Sequence, residues 1–188
     1  MISTRALGAT LCQLGAMLCV IAGCEDQPGK TVEIVPELQA VEGVGILNLK
    51  QAGSIWIGGH GTVQGLAKLK DRGLKTVIDL RLPEQTRVTT AEEIANLGLA
   101  YIPLPMRSDS LTEEQADAFI KAMGTQKGRD VFLFCRTANR SGAMYGLYLG
   151  RALGWSTERA VARSREAGMT RDELAGDLRR HLEKHHQH

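Results

Sequence analysis

The chain has 188 residues, with 23 Lys+Arg against 21 Asp+Glu and a formal net charge of +2. At 43% hydrophobic and 23% charged residues it carries enough apolar surface to bury a core, which excludes a disordered chain. The near-neutral balance argues against nucleic acid as a partner, and four cysteines are too few for a disulfide-stapled miniprotein.

Three of those cysteines, Cys12, Cys19 and Cys24, crowd the N-terminus. Arg5 is the only charged side chain before Glu25, and the stretch between them is mostly apolar. A positive start, a short apolar run and small residues at its end form a secretory signal. An uncleaved membrane anchor would want about 20 apolar residues without interruption, and Thr10 and Gln13 interrupt this run. Val20-Ile21-Ala22-Gly23-Cys24 resembles the bacterial lipobox. The resemblance implies a signal peptide over 1–23, cleavage before Cys24 and lipid on its thiol. The expected location is the bacterial cell envelope, membrane-anchored and facing the periplasm, with Glu25 leaning toward the outer membrane. Residues 24–44 contain Pro28, Gly29, Pro36 and Gly43 without a clear period and read as a tether, with room for a short strand at 31–35.

From residue 45 to 188 the pattern is that of one α/β domain. Short apolar runs at 46–49 and 55–57 read as a strand pair around Gln51-Ala52-Gly53-Ser54. Thr62 is an N-cap for a helix to Asp71, with Val63, Leu66 and Leu69 at helical spacing and Gly73 after its end. A buried strand follows at 75–80, a helix at 91–97 closed by Gly98, and a strand at 99–104. Thr112 with Gln115 forms a capping box for a helix whose apolar face is Ala116, Phe119, Ile120 and Met123. A central strand at 131–134 precedes three helices, at 141–153, 157–165 and 171–184. Strands alternating with helices predict a central, mainly parallel sheet flanked by helices, with ligands outside the carboxyl ends of its strands.

The segment Phe134-Cys135-Arg136-Thr137-Ala138-Asn139-Arg140-Ser141 runs from that central strand through a small polar loop into a helix. Loop amides and a helix N-terminus make an anion-binding nest, and such a field stabilises a thiolate over a thiol. Arg140 adds a fork-shaped donor for phosphate or sulfate oxygens, and Ser141 can hydrogen-bond the sulfur. A lone Cys after an apolar strand is usually a small buried hydrophobe, but that does not account for Arg136 and Arg140 beside it. The four histidines of the tail 181–188 read as a solvated helix end and not as a metal site.

Cys-x4-Arg-Ser after an apolar strand resembles the active-site loop of cysteine-dependent phosphatases. It is most similar to the dual-specificity-phosphatase-like bacterial family that includes the beta-lactamase-hydrolase-like phosphatases. Ser54-Ile55-Trp56-Ile57-Gly58-Gly59-His60-Gly61-Thr62, Gly73-Leu74-Lys75-Thr76-Val77-Ile78-Asp79-Leu80-Arg81, Gly154-Trp155-Ser156 and Glu166-Ala167-Gly168 extend the resemblance over about 44–170. It implies the cysteine-phosphatase fold and hydrolysis of phosphate monoesters through a phosphocysteine, with Cys135 as nucleophile. Arg140 and the loop Arg136, Thr137, Ala138, Asn139 and Ser141 would hold the phosphate of a phosphorylated substrate. Asp109, after the strand ending at Leu104, would be the general acid, and no metal or cofactor is called for. The loop departs from the usual signature: four residues separate Cys135 from Arg140 where five are customary, Phe134 stands in place of His, and Ala138 in place of Gly. Rhodanese-like sulfurtransferases also use a Cys-x4-Arg loop, and a non-catalytic anion-binding domain would use the same residues. Both alternatives stay open on the sequence.

Overall fold

In a computed structural model, residues 35–86 and 89–186 are described. Cys24, the signal segment and most of the strand expected at 31–35 lie outside them. The unit spanning Glu33–His188 is built on a six-stranded sheet in the order β1-β2-β3-β6-β4-β5. Its strands are β1 Gln39–Ala40, β2 Lys50–Ala52, β3 Ile55–Gly58, β4 Leu74–Asp79, β5 Ala100–Pro103 and β6 Asp130–Phe134. β3, β6, β4 and β5 run parallel, and β1 and β2 join antiparallel at one edge. This is the mainly parallel α/β architecture that the strand–helix alternation predicts.

Six helices cover the sheet: α1 Val63–Asp71, α2 Ala91–Asn96, α3 Glu113–Thr125, α4 Asn139–Arg151, α5 Thr157–Glu166 and α6 Asp172–His186. The starts of α1 and α3 are set by the expected side chains. Thr62 Oγ1 accepts from Gly65 N at 3.1 Å, and Thr112 with Gln115 closes a reciprocal capping box. Thr90 and Glu93 do the same for α2.

β6 lies mid-sheet and alternates between two cores. Val131, Leu133 and Cys135 face a layer made by α3, α4, α5 and α6. Phe132 and Phe134 face the layer of α1 and α2, with Trp56, Leu66, Leu69 and Ile94. A strand buried on both faces has no polar side to show, which is why 131–134 reads as a continuous apolar run. β4 behaves likewise, with a bulge between Leu74 and Thr76 that puts Leu74 and Val77 on one face.

Two expectations shift. The strand expected at 46–49 is a turn: Ile46 makes an isolated bridge to Gly61, Asn48 sits at φ +50°, and the strand begins at Lys50. Asn tolerates the left-handed region better than other non-glycine residues, so this apolar run bends there. The expected tether to residue 44 is folded over its described part. β1 pairs with β2, Val44 is buried, and Arg163 donates to Glu37 at 2.7 Å. Val41 and Val44 supply the apolar anchor that an unpatterned stretch hides.

α4 packs against α5 and α6 along Gly142, Gly146 and Gly150. A Cβ at Gly142 would stand 2.7 Å from Met169 N, and one at Gly146 2.8 Å from Ala160 O and in collision with Ser164 Oγ. At Gly150 it would meet Leu182 of α6. The helices therefore approach as closely as backbone allows. α6 in turn fastens the start of α3: His181 Nδ1 meets Glu113 Oε2 at 3.0 Å and Nε2 meets Leu111 O at 2.8 Å. Hydrogen bonding and charge from Arg151 hold the Glu113 carboxyl down at about 2.

Gly146→Ala is expected to destabilise the domain by about 1–3 kcal/mol, because Ala160 O is backbone and cannot swing away as the Ser164 hydroxyl could. A urea unfolding midpoint equal to that of the parent would contradict this packing.

Candidate active site

The Cys135 loop and the Asp109 segment sit outside the carboxyl end of the sheet. β6 delivers Cys135 there, where it is buried and free of disulfide. The loop that follows is tied to the strand beside it. Cys135 N donates to Gly58 O at 3.3 Å, His60 N to Arg136 O at 3.0 Å, and Gly59 bridges Thr137. A Cβ at Gly59 would stand 2.9 Å from Arg136 O, so only glycine lets the two chains lie this close. Asn48 Nδ2 donates to Thr137 O at 3.2 Å from the outer side.

Ala138 turns the loop into α4 at φ +78°. A left-handed conformation costs an L-residue roughly 1–2 kcal/mol, which is why Gly is customary at such a turn. Here a second glycine compensates: Gly168 packs on the Ala138 methyl, and a Cβ on Gly168 would lie 2.9 Å from it. The first intrahelical bond of α4 is Gly142 N to Ala138 O at 2.8 Å. The amides of Asn139, Arg140 and Ser141 precede it and have no helical acceptor. The N-terminal dipole of α4 therefore opens beside the sulfur.

Ser141 Oγ lies 3.2 Å from Cys135 Sγ and donates to Gly58 O at 2.8 Å. One hydroxyl proton faces two acceptors. With a thiol, the sulfur donates to Ser141 and Ser141 to Gly58 O. With a thiolate, the hydroxyl turns to the sulfur, and Gly58 O keeps the Cys135 amide. Either protonation state of the sulfur is satisfied by a rotation of one hydroxyl.

Arg140 is 3% exposed. Its Nη1 donates to Leu80 O at 2.8 Å and Met106 O at 2.9 Å, and its Nη2 to Gln85 Oε1 at 2.8 Å. Of its five N–H groups, Nε–H and one Nη2–H take no acceptor among the described residues. Gln85, in a 3-10 turn over Pro83–Gln85, is a site residue that the sequence analysis missed. Its only signal is position, just past the end of β4.

Asn139 uses its whole amide. Nδ2 donates to Ser108 O at 3.1 Å, and Oδ1 accepts from the amides of Thr170 at 2.8 Å and Arg171 at 3.0 Å. It thereby docks the 107–109 loop against the Cys135 loop. Asp109 itself faces outward. Its two oxygens receive Nε and Nη2 of Arg107, both at 3.0 Å, and that guanidinium holds the carboxyl below its ordinary value. Structure thus brings the Asp109 loop to the cradle but pairs its carboxylate with a neighbouring cation.

Behind the loop, Asp79 and Arg81 form a buried ion pair at 2.7 Å, with the Arg81 guanidinium 4.2 Å above the Phe134 ring. Tyr101 Oη donates to Asp79 at 3.1 Å, and burial first, then this carboxylate, raises the phenol to about 12. A cavity of about 330 Å³ opens beside the cradle between His60, Arg81, Glu84, Gln85 and Arg136. A larger one, about 550 Å³, lies at the opposite end of the sheet around Ser54, Met123, Arg129 and Tyr148. It holds none of the groups just described.

Comparison with solved structures returns the same fold. A chain from Shewanella putrefaciens CN-32 assigned to the DUF442 phosphatases superposes with a TM-score of 0.62 at 22% identity, covering 74% of this chain and 93% of that one. TpbA of P. aeruginosa matches with a TM-score of 0.61 at 17% identity over 78% and 89% of the two chains. The G95A form of Tk-PTP gives 0.64 at 15% identity over 80% and 97%. Curated protein sequences give no significant match. Residues 31–179 match the family model described as a DSP-PTPase phosphatase fused to NAD+ kinase, which spans the sheet, the Cys135 loop and most of α6. The chain belongs to this dual-specificity-type phosphatase family.

Proposed function

We propose that the domain hydrolyses phosphate monoesters through a phosphocysteine. The observation that carries the reading is a buried Cys135 Sγ, 3.2 Å from Ser141 Oγ, at the mouth of the first turn of α4. The Cys135 thiolate attacks phosphorus in line. The S–P bond forms as the bond to the leaving oxygen breaks. Loop amides and the two remaining donors of Arg140 hold the equatorial oxygens, where charge builds. Asp109 protonates the leaving oxygen. It then takes a proton from water, whose oxygen bonds to phosphorus as the S–P bond breaks. Ser141 donates to the departing thiolate. A phosphate dianion entering the cradle raises the Asp109 carboxyl by like-charge repulsion, against the hold of Arg107.

TpbA with its cysteine replaced by serine is seen in complex with phosphotyrosine, and PTPMT1 with the lipid PI(5)P. Relatives of this fold thus accept phosphorylated ligands of different kinds, which supports a phosphorylated substrate here without choosing its class. The family match over 31–179 favours phosphate-ester chemistry over sulfur transfer. We further propose that the mature domain begins at Cys24 and is held at the envelope by lipid on that thiol, on the strength of Val20-Ile21-Ala22-Gly23-Cys24.

Cys135→Ser is expected to reduce hydrolysis of p-nitrophenyl phosphate by at least about 1,000-fold, since removing a nucleophile forfeits the covalent route. Turnover equal to the parent would sink the mechanism. Arg107→Ala frees the Asp109 carboxyl to rise toward its ordinary range, so the acid stays protonated to higher pH. The descending limb of the kcat pH profile should therefore move upward, and an unmoved limb would remove Asp109 from the role of acid. Labelled palmitate should enter the full chain expressed in a bacterium and be absent from Cys24→Ala.

A further inference from the structure

The cavity beside the cradle bears on the organic part of the substrate, and this inference rests on the phosphatase reading above. It has a volume of about 330 Å³, at the lower end of ligand-sized pockets and suited to one ring or a short chain. Arg136 belongs both to its lining and to the Cys135 loop, so the cavity adjoins the cradle and lies within reach of a group esterified to a cradled phosphate.

Each described residue that lines it carries a polar or charged side chain. Arg136, His60 and Glu84 are exposed and border the same space. The Arg136 guanidinium, the Glu84 carboxylate and His60 Nε2 take no hydrogen-bond or ion-pair partner among the described residues. His60 is oriented by its other nitrogen, Nδ1, 3.1 Å from Arg136 O. Gln85 offers its amide nitrogen, because its oxygen is already committed to Arg140 and to Leu82 N at 3.3 Å. Because Nδ1 donates to that carbonyl, Nε2 of the neutral ring accepts; the cavity therefore presents two acceptors, Glu84 and His60 Nε2, beside the Gln85 and Arg136 donors, the set that a chain of neighbouring hydroxyls satisfies from both sides.

Aromatic surface is missing from these walls. The chain has two Trp, three Tyr and three Phe residues, and none lines this cavity. Trp56, Phe119, Phe132, Phe134 and Tyr145 are buried in the cores, and Trp155 lies under Arg159. An aryl ester would find no ring to stack on and would desolvate Glu84 and Arg136 without pairing them. A second phosphate group would meet the Glu84 carboxylate. We infer that the preferred substrate is a small polyol phosphate, a phosphorylated sugar or cyclitol, whose hydroxyls bind Glu84, Gln85 and Arg136.

Calorimetric titration of the Cys135→Ser protein tests this without turnover. The probes are inorganic phosphate, glucose 6-phosphate, myo-inositol 1-phosphate and O-phosphotyrosine. At least one polyol phosphate should bind about tenfold or more tighter than inorganic phosphate, the gain of two or so well-made hydrogen bonds. O-phosphotyrosine should stay within about threefold of inorganic phosphate. In Cys135→Ser with Glu84→Ala, the ratio of polyol-phosphate to inorganic-phosphate affinity should fall to within about threefold of one. Tightest binding of O-phosphotyrosine, or a ratio indifferent to Glu84→Ala, overturns the polyol assignment and leaves the cradle standing. Failure of inorganic phosphate to bind at all overturns the cradle and the assignment together.

Discussion

The guanidinium of Arg140 is the tie on which the site depends. A buried cation must find acceptors, and it finds them where the sheet has run out of partners. Leu80 O lies just past the end of β4, and Met106 O lies in the loop after β5. One side chain therefore binds the ends of two strands to the first turn of α4. Its removal would leave Met106 O without a partner among the described residues, and Leu80 O and Gln85 Oε1 with only their 3.3 Å bonds from Met106 N and Leu82 N, so it holds the mouth of the site open as well as facing it. That double duty explains why Arg140 is buried while Arg136, four residues earlier, is exposed.

Close helix packing complements this tie. Gly142, Gly146 and Gly150 let α4 lie on the backbone of α5 and the side chains of α6, and Gly168 in the next connection makes room for Ala138. The strained residue of the loop is thus braced by the same helices that the glycines draw in. Asn139 extends the bracing to both sides, joining the Ser108 carbonyl to the amides of Thr170 and Arg171. A shortened loop with Ala at its left-handed position keeps its shape because its neighbours over-determine it.

Charge is distributed in keeping with the proposed chemistry. The cradle offers amides, a helix dipole and Arg140, with no carboxylate among them. Asp109 stands on the adjoining loop, neutralised by Arg107 in the absence of substrate. An exposed pair of this kind contributes little to stability, so breaking it in the proposed mechanism would cost little. The buried Asp79–Arg81 pair is different in kind. It is nearly free of water, joined by Tyr101, and serves as a rigid floor beside β6.

Much of this was legible from residue order alone. Alternation of strands and helices, the capping residues Thr62 and Thr112, and the strand–loop–helix around Cys135 depend on local preferences, which act within a few residues. The turn at Asn48, the folding of 35–44 and the role of Gln85 were not legible, because each is decided by a partner far along the chain. An apolar run at 46–49 is equally good as strand or turn until Gly59 and Gly61 lie against it. Residue order alone settles which groups meet at one end of a parallel sheet, since strand direction and the succession of β6, loop and α4 leave little choice. How those groups pair depends on contacts between segments far apart in the chain. Long-range packing assigns Arg140 to Leu80 and Met106, and among the described residues it leaves Arg136, Glu84 and His60 Nε2 unpaired around an open cavity.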